Sequence, residues 1–288
     1  MSALAEPSLP VAQQGWEARL SLRFAPGATH TRLIREDAFG PLTVQKPFYP
    51  ENPVCHVYLL HPPRGVAGGD RLTTRIDVGQ GAATLITTPA ATRLYRSEGP
   101  ESSILNLLEV ASQARLEWLP QETILFGGAR ARVRTEVKLR GNARFIGWES
   151  CCVGREAFGD HYATGSVSMD LRLSLDDRPL LQDRLPLIAG SRFLDAPWGF
   201  AGRRVLGSLY ATPADADTLA ALRASQPAET GLEGSEPLKA ATLVDGLLVY
   251  RVLGHRSEAV RSALIDAWRT LRPLVIGRSP CTPRIWHT

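Results

Sequence analysis

Three carboxylates are the side chains of this sequence best placed to do chemistry. Asp70 follows two glycines, Glu122 follows a proline and a glutamine, and Glu149 follows a tryptophan. Carboxylate oxygens are hard ligands that can hold a divalent ion weakly and let it leave quickly, as an ion in transit requires. The residues leave a second interpretation open, in which each acid only accepts hydrogen bonds from loop amides and nearby arginines. Arg96 and Arg155 are the expected partners in that case.

Recognisable catalytic motifs are absent from the sequence. The glycine-rich run at 65–71 lacks the Gly-Lys-Ser/Thr ending of a phosphate-binding loop, and neither G-x-S-x-G nor H-E-x-x-H occurs. The six histidines show no paired spacing that would indicate a metal site. One enzymatic alternative stays open, a β-rich hydrolase that uses Asp70 with Glu122 or Glu149 as an acid and base pair. Sequence spacing does not give the distance between two carboxyl groups that such chemistry requires.

Alternation of apolar and polar residues predicts strands along most of the chain. From Leu72 to Val78, apolar residues and a threonine alternate with polar residues between two glycine-containing turns, which is typical of a half-buried strand. On spacing alone, this strand belongs to a β-hairpin with a solvated Asp70. Residues 104–110 and 115–119 are predicted to be a pair of strands around Ser112-Gln113.

Strands at such short spacing, separated by Gly, Pro and Asp turns, indicate a mainly β protein of stacked antiparallel or mixed sheets rather than βαβ units. Two helices are expected in the C-terminal part, near 212–225 and near 257–271. For the first helix, the run Thr212-Pro213-Ala214-Asp215 predicts a capping box with proline at the first helical position. Pro273 is expected to end the second helix.

A basic strand face is predicted beside the glycine turn at 127–128. Apolar residues alternate from Ala131 to Leu139, and Arg130, Arg132 and Arg134 fall on the opposite face. Such a face could dock on an acidic surface of a protein partner. Nucleic-acid binding is not expected, because no aromatic side chains are interleaved with these arginines.

Composition sets the frame for these local patterns. The chain has 288 residues, of which 44% are hydrophobic and 22% charged, as in globular proteins. Its net charge of +4, from 33 basic and 29 acidic residues, is mild for a nucleic-acid binder. Four cysteines without a C-x-x-C pair indicate a reduced, cytoplasmic compartment, and neither a secretory signal nor a membrane span is expected. Residues 1–15 are expected to be a disordered tail and 16–288 a single β domain.

Three longer blocks resemble a known family. They are HPPRGVAGGDRL with LITTPAATRLYRS between His61 and Ser97, LEWLPQETILFGGARA from Leu116, and GWESCCVGREAFG from Gly147. Together they resemble the signature of the UreD family of urease accessory proteins, which is also called UreH. The matching positions are Gly68, Gly69, Asp70, Thr87, Thr88, Pro89, Thr92, Tyr95, Arg96, Trp118, Pro120, Gln121, Glu122, Trp148, Glu149, Gly154 and Arg155.

The resemblance implies a non-catalytic assembly factor. Members of this family bind the urease apoprotein and a helical partner, UreF, which recruits the nickel-carrying GTPase UreG. Nickel is thought to cross the UreD-like subunit through an internal passage on its way to urease, so no cofactor is held tightly. The implied fold is elongated, mostly β and β-helix-like, with stacked sheets and two helices. No membrane or nucleic-acid partner is implied.

One turn departs from the family pattern. After Phe126 the chain has Gly127-Gly128, where the pattern has an acid or an asparagine in the first or second place. This difference argues against a metal or polar role for the turn.

Overall fold

The computed structural model describes residues 15–226 and 236–287. The strands in these residues are β1 Glu17–Pro26, β2 Thr31–Phe39, β3 Thr43–Val44, β4 Cys55–Leu60, β5 Arg71–Val78, β6 Ala83–Thr87, β7 Thr92–Leu94, β8 Ser102–Val110, β9 Arg115–Leu119, β10 Thr123–Leu125, β11 Arg130–Leu139, β12 Arg144–Val153, β13 Ser166–Leu175, β14 Arg178–Ile188, β15 Val205–Thr212, β16 Leu238–Val244 and β17 Leu247–Gly254. The helices are α1 Arg192–Asp195, α2 Ala216–Ser225 and α3 Ser257–Val275, with short 3-10 helices at Glu156–Phe158 and Arg284–His287. The predicted N-terminal tail lies, apart from Gly15, outside the described residues, and the single domain stays a prediction.

The strands form two stacked sheets. The first has seven strands in the order β14-β13-β11-β8-β5-β1-β2. The second has ten, in the order β16-β17-β15-β12-β9-β6-β4-β3, with β10 between β12 and β7. Strands make up 49% of the structure and helices 15%, and the stacked coils resemble a β-solenoid. The predicted fold class is therefore confirmed, and the sheets are of the mixed kind, because β1, β5, β8, β11 and β13 pair in parallel.

Successive strands cross from one sheet to the other. In three places a strand of the first sheet leads directly into a strand of the second: β5 into β6, β8 into β9, and β11 into β12. The expectation that β8 and β9 pair around Ser112-Gln113 is wrong, and so is the hairpin expected at β5 and β6. The apolar residues of the two strands in each pair instead face each other across a shared core. The turns that connect the two sheets stack on one another: Asn142, between β11 and β12, accepts hydrogen bonds from Ser112 Oγ (2.9 Å) and Gln113 N (2.7 Å), between β8 and β9.

Two apolar cores separate three layers. The first core lies between the two sheets, and the second lies between the ten-stranded sheet and helices α2 and α3. Strand β12 serves both cores, because successive side chains of a strand point to opposite faces. Accordingly Cys151 packs in the first core and Cys152 against the second, as their adjacency predicts. All four cysteines are free thiols.

The two predicted helices are present, with different ends. Helix α2 begins at Ala216, and its N-cap Asp215 accepts a hydrogen bond from Thr218 N at 2.8 Å. Proline is therefore not at the first helical position, because Thr212 still belongs to β15 and Pro213 lies in the connection. Helix α3 continues past Pro273 to Val275, so the expected stop is also wrong. Pro273 has no N–H to donate to the carbonyl of Arg269, yet the helix continues for two more residues before it ends.

Helix α3 packs its apolar face on the ten-stranded sheet, as predicted, and carries one buried cation. Arg272 is 0% exposed and donates hydrogen bonds to the carboxylates of Glu117 in β9 and of Glu51 in the loop between β3 and β4. Glu117 also accepts from Trp268 Nε1 at 2.7 Å. These contacts fasten the helix to the sheet. No helix in the described part of the chain is long and apolar enough to cross a membrane.

Candidate functional site

A row of polar side chains crosses the seven-stranded sheet on its inner face. Thr74, Asn106 and Thr135 are register partners on β5, β8 and β11. The next register partners across the sheet are Leu171 on β13 and Asp183 on β14, and we call such a set of register partners a level. The levels two residues before and after are apolar, with Leu72, Ile104, Val133 and Met169 on one side and Ile76, Leu108, Val137 and Leu173 on the other. We call Thr74, Asn106, Thr135 and Asp183 the first polar row. Polar groups in a core cost free energy unless they are paired, so the row needs an explanation.

A second polar row faces the first from the ten-stranded sheet. It consists of Glu149 on β12, Ser208 on β15 and Arg251 on β17, which are also register partners. The two rows meet at two points, because Thr135 Oγ1 donates a hydrogen bond to Glu149 Oε1 and Arg251 Nη2 donates one to Asp183 Oδ2 at 2.7 Å. Polar groups of both sheets therefore meet in one layer inside an otherwise apolar core, with Leu171 between Thr135 and Asp183.

Cavities follow the two polar rows. The larger, of about 160 Å³, has Glu149 in its wall and extends to His61, Arg64 and the loop at 88–92. That volume has room for several water molecules, since one needs roughly 10–15 Å³. A smaller cavity of about 20 Å³ adjoins it at Glu149, Ser150 and Met169, and a surface groove adjoins the smaller cavity at Leu185, Leu206 and Arg251. We call the two cavities and the groove the candidate passage.

Glu149 stands where the two cavities meet. It lies deep in the protein, and what is left exposed of its side chain lines these cavities. The pKa of this carboxyl is raised to about 7, mainly by burial and in smaller part by the negative charges of Asp183 and Asp170, against the opposing hydrogen bond from Thr135. Glu149 can therefore exchange a proton for a cation near neutral pH.

Glu149→Gln should stabilise the fold at high pH. A raised carboxyl pKa means that the folded chain binds the proton more tightly than the unfolded chain, so wild-type stability falls as the pH rises from the ordinary value of 4.5 through about 7. Glutamine carries no charge, and its side-chain oxygen can still accept the hydrogen bond from Thr135 Oγ1. We expect its advantage in urea unfolding to grow by on the order of 2 kcal/mol between about pH 5 and about pH 8. An advantage that does not change with pH would contradict this ionisation.

The structure does not bring the other two predicted acids to the passage. Asp70 accepts hydrogen bonds from Trp16 N and Ala67 N, both at 2.8 Å, and so fastens its turn to the start of β1. The side chain of Glu122 is not in the wall of either cavity, although its neighbours Gln121 and Thr123 are. Neither acid therefore shares a cavity wall with Glu149, so these cavities give no support to an acid and base pair of Asp70 and Glu149. The described residues contain no group of three or more His, Cys, Asp or Glu side chains that could hold a metal ion.

Comparison with known proteins decides the family. A family model described as UreD urease accessory protein matches residues 16–287. The chain belongs to the UreD family. Among its relatives, proteins named urease accessory protein UreD from Alkalilimnicola ehrlichii and Klebsiella aerogenes are 42% and 40% identical, over 98% and 97% of this chain and 95% and 100% of their own lengths. The UreD of Pseudomonas entomophila is 38% identical over the whole of both chains.

The UreD motif residues divide between the passage and its supports. Seven of them line the larger cavity, namely Thr88, Pro89, Thr92, Trp118, Pro120, Gln121 and Glu149. Thr87 and Trp148 lie behind that wall, where Thr87 Oγ1 donates to Leu119 O (2.6 Å) and Trp148 Nε1 to Pro120 O (2.7 Å). The glycines serve turns: Gly69 and Gly154 have positive φ, and a Cβ at Gly68 would lie 2.2 Å from Ser97 Oγ.

The two motif arginines do not pair with the three predicted acids. Arg96 is exposed and lies 3.8 Å from Glu98. The Arg155 guanidinium stacks 3.8 Å above the Phe126 ring and reaches Asp160 at 3.3 Å, while Tyr95 packs edge-on against Phe126. The expectation that Arg96 and Arg155 hold those acids is therefore wrong.

Asp160 explains the unusual Gly127-Gly128 turn of this UreD chain. Both of its carboxylate oxygens accept from Gly127 N, at 3.1 and 3.0 Å, and a Cβ at Gly127 would lie 2.7 Å from Oδ1. Gly128 has a φ of +83°, which favours glycine. A carboxylate from elsewhere in the chain thus fills the position of the acid that the family pattern led us to expect, and this hydrogen bonding lowers the pKa of Asp160.

The predicted basic face lies on the outer side of the seven-stranded sheet, away from the passage. Arg130 and Arg132 are exposed, and Arg134 is half-buried. Arg132 approaches Glu101 at 3.4 Å and Arg134 approaches Glu136 at 3.8 Å, so acids partly neutralise this face.

Sequence reasoning missed most of the polar layer. Asn106, Asp183, Ser208 and Arg251 were not expected at a site. The available signal was a polar residue at an inward-facing position of an apolar strand pattern, as at the threonines of β5 and β11.

Proposed function

We propose that this UreD-family chain is a non-catalytic urease maturation factor, and that nickel crosses it through the candidate passage on the way to the urease apoprotein. The family membership supports the maturation role, since the relatives are named urease accessory proteins. In this proposal nickel is cargo, and the chain works in the cytoplasm without a resident cofactor.

The two facing polar rows carry the proposal of a passage. An apolar core between two sheets would be more stable without them, because buried polar groups must be paired to offset their lost hydration. These rows instead run alongside cavities that lead from the loops at 61–64 and 88–92 to the groove beside Arg251. Threonine, asparagine and serine offer neutral oxygen ligands, and Glu149 offers one charge that appears near neutral pH. Such ligands suit a divalent ion that must move on.

The ends of the passage suggest how the partners are arranged. The loop end and the groove end open at different places on the sheets, so one can face the nickel supply while the other faces urease. In this proposal UreF binds the chain and brings the nickel-carrying GTPase UreG to the supply end. The urease apoprotein occupies the other end.

A gene deletion tests the maturation role. Urease purified from cells that carry the complete urease cluster should contain its full nickel, and urease from the same cells without this gene should be intact but poor in nickel. Returning the gene on a plasmid should restore the nickel content. Fully metallated urease in the deletion strain would refute the proposal.

The arginine face of β11 supplies a prediction about partner binding. Arg132→Glu with Arg134→Glu should weaken the complex with UreF and urease by about tenfold at low salt and much less at high salt, because exposed charges are screened. Pull-down titrations at the two salt concentrations measure the effect. The matched control is Arg19→Glu with Arg23→Glu on β1 of the same sheet, where the arginines also pair with acids. If both double variants bind the partners equally well, the arginine face of β11 is not part of the interface.

A further inference from the structure

Arg251 lies in the candidate passage where the smaller cavity adjoins the surface groove. Arg251 lines the smaller cavity together with Glu149, and it also lines the surface groove. Beyond it, the groove is lined mainly by apolar side chains, among them Phe193, Trp198 and Leu238. An ion leaving the polar layer toward this groove must therefore pass a permanent positive charge.

The partner of Arg251 is an inward-facing carboxylate. Arg251 Nη2 and Tyr210 Oη both donate to Oδ2 of Asp183, each at 2.7 Å. Among the described residues no donor reaches the other oxygen, Oδ1. Tyr210 would still hold Asp183 if the arginine left, so the carboxylate could accept a metal cation in place of the guanidinium.

The Arg251 side chain also has solvent beside it into which it can move. Its side chain is 41% exposed while that of Asp183 is 18% exposed, so the arginine can turn toward solvent without unpacking the core. The two residues lie 68 positions apart and join the edge regions of the two sheets, β14 and β17. A contact of this kind can open without breaking a strand ladder.

We propose that Arg251 is a gate, which keeps the passage closed to cations by holding Asp183 in place of the metal ion. The proposal rests on the proposed function and adds the control of release at one end. The arginine is a specificity-determining residue for cation transfer: its charge repels an approaching dication until the side chain turns outward and frees Asp183.

Removing the charge should speed transfer. In cells that carry the urease cluster, a nickel pulse followed by timed purification gives the initial rate of nickel incorporation into urease. Arg251→Met, which keeps the length and loses the charge, should raise this rate roughly threefold to tenfold, since a unit charge about 6 Å from a dication contributes about one factor of ten even in water. A residue that merely braces the fold would lower the rate when replaced.

Three further variants make the outcome decisive. Arg251→Lys keeps the charge and should stay near the wild-type rate. Arg178→Met on β14 removes an exposed pairing with Asp245 and should leave the rate unchanged. If Arg251→Met transfers nickel no faster than wild type, or Arg251→Lys is accelerated as much as Arg251→Met, the gate is refuted. Glu149→Leu distinguishes the two proposals. If this variant blocks nickel transfer, the passage is supported even when the Arg251 variants refute the gate. If it transfers nickel normally, both the passage and the gate are refuted. Co-purification of each variant with its complex shows that it is folded.

Discussion

Replacing Arg272 by methionine is expected to lower the free energy of unfolding by about 3 to 5 kcal/mol. The guanidinium is fully buried and donates from Nε to Glu117 Oε2 at 2.9 Å and from Nη1 to Glu51 Oε2 at 3.0 Å. Without it, Glu117, which is only 1% exposed, keeps a buried negative charge with Trp268 as its remaining side-chain donor. Leaving one member of a buried ion pair unpaired costs far more than the pair itself contributes.

Urea unfolding followed by circular dichroism measures the loss. The matched control is Arg269→Met on the same helix, whose exposed pairing with Asp266 at 3.2 Å should contribute less than about 1 kcal/mol. Adding Glu117→Gln to Arg272→Met should recover part of the stability, because the buried charge is then removed. A loss in Arg272→Met no larger than in Arg269→Met would show that the cluster does not fasten helix α3 to the sheet.

Glu149→Leu is expected to reduce the nickel content of urease at least about tenfold, which corresponds to only about 1.4 kcal/mol of added barrier. Leucine has nearly the size of glutamate, so the cavity walls stay in place while the one carboxylate between the two cavities disappears. A dication would then have to cross this point without a charged oxygen ligand, at a high cost in lost hydration. Nickel per urease active site, measured by elemental analysis, reports the result.

Glu122→Leu is the control for that substitution. It removes an acid from the same set of motif positions, but its side chain does not line either cavity. Nickel content should therefore stay near wild type in Glu122→Leu. Undiminished nickel in Glu149→Leu, in cells where the assembly complex still forms, would show that the ion takes another route.

Local pattern predicted the strands well because the alternation of apolar residues follows directly from burial of one face. It could not assign strands to sheets: Ser112-Gln113 suits a hairpin as well as a corner between two sheets, and only the packing of neighbouring coils decides. The same limit applies to the helix ends. Pro273 was expected to end α3, but packing of the helix on the sheet carries it to Val275.

The candidate site was predictable only in part. The resemblance pointed to Asp70, Glu122 and Glu149, and the structure places only Glu149 on the passage. The amides of its own turn and of β1 already hold Asp70, a role that sequence reasoning left open as the alternative. Asp183 and Arg251 could not be found, because their contact depends on the register of two different sheets.

Nickel transfer in the presence of a chelator tests the central claim most directly. Apo-urease would be activated by the purified accessory complex containing this chain, with and without an excess of a chelator too large to enter the passage. If nickel moves inside the protein, activation by the wild-type complex should persist in the chelator, whereas the Glu149→Leu complex should fail to activate. Activation that the chelator abolishes in the wild-type complex would mean that nickel travels through solution and that the passage is not its route.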